Sequence, residues 1–87
     1  LGHGEFQLHY WRNKEKEEVD FLITQERVPV VLFECKLSDE VVAKPLIKLS
    51  RALGNIPAIQ LVATPGVSKQ FGNVRVVSAP DYLVNLI

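Results

Sequence analysis

The chain is predicted to be an α/β domain: a three-stranded antiparallel meander, then a helix, two further strands and a closing helix. Three observations lead there. Period-two alternation runs through the first 36 residues, a helical apolar stripe follows between Lys44 and Gly54, and two short apolar runs come after it.

In the first strand Phe6, Leu8 and Tyr10 alternate with Gln7, His9 and Trp11, the pattern of a strand with one better-buried face. Residues 12–17, Arg-Asn-Lys-Glu-Lys-Glu, are wholly polar and read as an exposed turn. From Glu18 the alternation resumes, with Val19, Phe21 and Ile23 pointing one way and Glu18, Asp20, Leu22 and Thr24 the other. A turn at Gln25-Glu26-Arg27 leads into the β-branched run that starts at Val28. Pro29 belongs at the start of this third strand, because proline cannot donate to an interior ladder.

In the helix, Pro45 suits the first turn, Leu46, Leu49 and Leu53 share a face, and Gly54 ends it. Ala58 to Ala63 and Val74 to Val77 read as short strands. Ser78-Ala79-Pro80-Asp81 reads as the capped start of a last helix that ends near Ile87.

Bulk properties narrow the function classes. A chain of 87 residues is one small domain at most, and such a chain buries only about 60 to 65% of its unfolded surface. Net charge is zero, which argues against nucleic-acid binding through an overall basic field. One cysteine excludes an internal disulfide and fits a reducing, cytoplasmic setting. The chain carries no apolar run of the roughly 20 residues a spanning helix needs. It has no zinc-ligand spacing and no phosphate-binding glycine loop.

The unusual feature is charge inside strands. Asp20 interrupts the second strand, and Glu34 and Lys36 stand two apart in the third, so the latter two share a face. With a hairpin turn centred on Glu26 or Arg27, Asp20 lies opposite or diagonal to Glu34, roughly 5 to 8 Å away at Cβ. Two carboxylates that close repel, and a hard divalent cation neutralises them. Magnesium held by two carboxylates keeps most of its waters, and a neighbouring lysine can orient the attacking water. That set is chemically sufficient for phosphodiester hydrolysis. The competing reading is a cross-strand ion pair on a solvated face, and a Glu-x-Lys triplet arises by chance about 0.3 times in a chain of this length.

Other candidates are weaker. Lys44, Lys48 and Arg51 form one stripe on the helix, which could follow a nucleic-acid backbone or simply be its solvated side. His9 reads as structural or exposed, Cys35 as a small core residue pointing away from Glu34 and Lys36, and Gln60 as an outside candidate for the same site.

Three segments, Tyr10-Trp11-Arg12, Glu18-Val19-Asp20-Phe21 and Glu34-Cys35-Lys36, together resemble the domain of unknown function that follows AAA-type ATPase modules in many bacterial and archaeal proteins. Such domains look like members of the PD-(D/E)XK nuclease-like superfamily. The resemblance spans nearly the whole chain and implies a restriction-endonuclease-like core. It also implies a first core helix that this chain lacks, so residues 1–87 are expected to be an N-terminally truncated fragment of a longer ATPase-linked protein.

Carried over by residue, the resemblance makes Asp20 and Glu34 metal ligands, the backbone carbonyl of Cys35 a third ligand and Lys36 the water-positioning base. The implied cofactor is magnesium, or manganese in its place. The implied partners are DNA, the ATPase domain of the same chain, and a second copy covering the face left by the missing helix. The expected function is metal-dependent hydrolysis of nucleic acid; the alternative is a non-catalytic nuclease-fold module forming the carboxy-terminal part of an AAA-type ATPase.

Overall fold

A computed structural model describes residues 5–37 and 42–84. The elements are β1 (Phe6–Arg12), β2 (Glu18–Gln25), β3 (Val28–Lys36), α1 (Lys44–Ala52), β4 (Ala58–Val62), β5 (Ser68–Phe71), β6 (Val74–Ser78) and α2 (Ala79–Val84). They form one six-stranded mixed sheet in the order β1-β2-β3-β4-β6-β5. The meander β1 to β3 is antiparallel, β4 and β6 run parallel to β3, and β5 returns antiparallel along β6. The expected end of the last helix near Ile87 lies outside the described residues.

One strand more is present than the two expected after α1. β5 is Ser-Lys-Gln-Phe with all four residues exposed. It is an edge strand with water on both faces, so it needs no apolar alternation to form.

The two helices lie on opposite faces. Leu46 and Leu49 of α1 pack on Val19, Leu32, Ala58 and Val74. Phe33 follows Leu32 in the strand and therefore points to the other face, where its ring meets Tyr82 of α2 edge-on at 6.1 Å.

Two register shifts redistribute the side chains. Between the His9–Leu22 and Trp11–Val19 pairs, β2 contributes two residues, Asp20 and Phe21, against the single Tyr10 of β1. Such a bulge resets the alternation, so Val19 and Leu22 both reach the α1 side. The expected grouping of Val19 with Phe21 is corrected accordingly: Val19 is fully buried, whereas Phe21 is 41% exposed. On β1 it is Trp11 that packs against the core, and Phe6, Leu8 and Tyr10 stay exposed.

The second shift, between the Ile23–Val31 and Thr24–Pro29 pairs, leaves Val30 as an extra residue of β3. The β2–β3 turn itself is a two-residue hairpin, Glu26-Arg27, with both residues at positive φ, as a type I′ turn requires.

α1 closes through Gly54 at φ 88°. The Gly54 N–H bonds the Arg51 carbonyl and the Asn55 N–H bonds the Ser50 carbonyl, the paired bonds of a Schellman motif. An added Cβ at Gly54 meets nothing within 4 Å, so only backbone strain opposes a side chain there. Gly54→Ala is expected to destabilise the chain by about 1 kcal/mol in denaturant unfolding, whereas crowding plays no part.

Candidate functional site

The extra residue Val30 matters for the site. The ladder beyond it pairs Phe21 with Phe33, and one further step sets Asp20 opposite Glu34. There the side chains take over from the ladder. Glu34 Oε1 accepts the Asp20 backbone N–H at 3.1 Å, and Asp20 Oδ2 accepts the Cys35 backbone N–H at 2.9 Å. The two carboxylates thus clasp the ends of β2 and β3 reciprocally. Each retains a second oxygen, Oδ1 of Asp20 and Oε2 of Glu34, and the latter lies 3.6 Å from Lys36 Nζ.

Asp20, Glu34 and Lys36 therefore come together as expected. The solvated face does not hold, because Glu34 is only 7% exposed. It lies on the same side of β3 as Leu32, beneath the α1 layer, whereas the Lys36 side chain remains 46% exposed. Burial pushes the Glu34 carboxyl above its ordinary value of 4.5, with the Asp20 charge adding to the rise; the Asp20 N–H and the Lys36 ammonium pull it down.

Cys35 is corrected as a core residue: its side chain is exposed. The partial covering of its thiol first, and then the Asp20 and Glu34 charges, push the thiol pKa upward, which keeps it a poor nucleophile.

Gln60, the outside candidate, stands directly beside Glu34 in the parallel β3–β4 register. It is fully buried, and its Oε1 accepts the backbone N–H of Ala43 at 2.8 Å. α1 has no side-chain cap of its own, so Gln60 ties the start of that helix to the strand row that holds Glu34. A polar residue amid Ala58-Ile59 and Leu61-Val62 was the available signal.

The basic stripe divides. Lys48 is bonded to Glu17 at 2.9 Å, a contact that raises the Lys48 pKa and, with the Asn13 amide contributing more, lowers that of Glu17. Lys44 and Arg51 are exposed. His9 Nε2 meets Thr24 Oγ1 at 3.1 Å, a structural contact.

Among the described residues no three His, Cys, Asp or Glu side chains are close enough to share a metal ion. Two carboxylates suffice for magnesium, which completes its shell with water. The site sits at the carboxyl end of parallel strand β3, where ligands of open α/β sheets generally bind.

A stability prediction follows from the raised Glu34 group. Because its folded pKa lies above the unfolded one, its contribution to stability is fully present below about pH 4.5 and is lost as pH rises through the folded value. Glu34→Gln keeps the acceptor for the Asp20 N–H without the buried charge. We expect its melting temperature at pH 7 to exceed the parent's by a few degrees, a gain that vanishes near pH 4, as read by calorimetry across that range.

A family model described as a domain of unknown function, DUF4143, matches residues 2–82. No curated protein and no solved structure matches the chain. Among the described residues no helix is long and apolar enough to cross a membrane.

Proposed function

The chain belongs to the DUF4143 family, and from that premise we propose that it is a nuclease-like domain of PD-(D/E)XK type that hydrolyses phosphodiester bonds with a divalent cation. The observation that carries this reading is the convergence of Asp20, Glu34 and Lys36 at one strand end, with Glu34 Oε2 3.6 Å from Lys36 Nζ.

The donor set suits magnesium or manganese. Asp20 Oδ1 and Glu34 Oε2 are hard anionic oxygens, and the Cys35 carbonyl would be the third ligand. A cation bound there supplies charge neutralisation at a phosphate and a more acidic water. The chain's own residues do the rest. Asp20 and Glu34 are preorganised by the backbone N–H groups they already accept, so their oxygens do not have to be ordered on binding. Lys36, half exposed at the rim, orients water toward the phosphate and steadies negative charge developing on it.

One specific observation favours a second reading, a non-catalytic module acting as the carboxy-terminal part of an AAA-type ATPase. Each carboxylate already has a structural role in fastening β2 to β3. Moreover, Phe6, Leu8 and Phe21 leave an apolar area exposed on the α2 side of the sheet, a surface suited to a partner domain.

The two readings separate in a cleavage assay on single- and double-stranded DNA and RNA. Hydrolysis with magnesium or manganese that stops on chelation supports the nuclease. Absence of metal-dependent hydrolysis supports the module.

A further inference from the structure

A second candidate site lies on the same face of the sheet as Glu34. A groove of about 250 Å³ runs between the second half of α1 and the β5–β6 turn, lined by Ile47, Arg51, Asn55, Phe71 and Asn73 among others. Three features define its chemistry. Phe71 pairs with Val74 in the β5–β6 ladder, and so turns its ring toward the α1 side, yet it remains 51% exposed. Arg51 is the one charged side chain among the described lining residues, and none of them is acidic. Asn55 and Asn73 add amide donors and acceptors at the rim.

An uncovered aromatic face beside a guanidinium and two amides matches a planar base attached to a phosphate. Stacking on the ring is tolerant of base identity, and arginine takes phosphate oxygens in a fork. The position fits too. Glu34 pairs with Gln60, Gln60 with Val76 and Val76 with Lys69, so the Phe71 strand lies three strand spacings, about 14 Å, from the carboxylate site. Lys69, two residues before Phe71, shares its face.

We propose that this groove binds one nucleotide unit of single-stranded nucleic acid, its base stacked on Phe71 and its phosphate held by Arg51. The assignment rests on the nucleic-acid reading of the carboxylate site and adds the form of the strand that reaches it. A free nucleotide has the same base and phosphate, so the test distinguishes the two sources.

The measurement is fluorescence anisotropy of end-labelled octathymidylate with the 87-residue chain, in chelator so that no cleavage occurs. Phe71→Leu is expected to weaken binding about tenfold and Phe71→Tyr to retain it. Arg51→Gln is expected to weaken binding and reduce the salt slope by about one. Arg75→Gln, whose side chain lies on the opposite face of β6, should bind as the parent does. Undiminished binding by Phe71→Leu overturns the groove, as does an equal loss in Arg75→Gln, which would mean a diffuse field. Thymidine monophosphate that competes as well per mole as the octamer overturns the strand assignment. The carboxylate site fails separately: Phe71-dependent binding without metal-dependent cleavage contradicts the nuclease and leaves the groove standing. Cleavage without Phe71-dependent binding does the reverse.

Discussion

Asp20→Asn is expected to lower metal-dependent cleavage at least about 100-fold while leaving the fold intact. The asparagine carbonyl can still accept the Cys35 N–H that Asp20 Oδ2 now takes at 2.9 Å, so the join between β2 and β3 survives and only the charge is lost. Lys36→Ala should fall by a similar factor for a different reason: it removes the ammonium beside Glu34 Oε2. That ammonium also lowers the Glu34 pKa, so its removal leaves the carboxyl protonated to higher pH. The rising limb of the pH–rate profile should therefore move upward in Lys36→Ala and not in Lys36→Arg. Single-turnover rates across pH measure both effects. Unchanged rates in Asp20→Asn or Lys36→Ala would remove that residue from the chemistry and favour the interaction module.

The largest stability effect is expected at Leu32. It is fully buried and joins α1 to the sheet through Leu46, Leu49 and Ala58. Leu32→Ala removes that packing and leaves a cavity, a change of about 3 kcal/mol. A domain of this size melts about 4–8 °C lower per kcal/mol, so the loss should exceed about 10 °C in thermal unfolding. Leu37→Ala is the matched control, because Leu37 is 88% exposed, and its melting temperature should stay within about 2 °C of the parent's. Equal losses for both would contradict the assignment of the core to the α1 side.

The two effects meet on one strand. Leu32 and Glu34 share a side of β3, so the packing that stabilises the chain also desolvates the carboxylate at its end. The carboxylate that the proposed chemistry requires is therefore held at the expense of stability, which is why Glu34→Gln is predicted to melt higher while Asp20→Asn and Lys36→Ala test the reaction.

How much of this was legible from residues alone depended on whether neighbours reinforced the local pattern. β1, β2, β3 and α1 could be read because apolar spacing and turn residues agreed there, down to Pro45 and Gly54. β5 could not: four exposed residues on a sheet edge carry no hydrophobic period. The nearness of Asp20 and Glu34 was legible because a turn at Glu26-Arg27 brings them together in either register. Which face each residue takes was not, since alternation assumes a regular ladder and two register shifts break it, one at Asp20-Phe21 and one at Val30. The burial of Glu34 and the role of Gln60 were hidden for a related reason. Both depend on where α1 comes to rest, and Gln60 is fastened to its first residues by a bond 17 positions apart in the chain.

The central claim is that Asp20 and Glu34 together hold a divalent cation, and titration calorimetry with manganese tests it most directly. The account predicts one manganese ion bound per chain, with affinity lowered more than about tenfold in Asp20→Asn at unchanged melting temperature. No binding by the parent chain, or equal binding by Asp20→Asn, would contradict it.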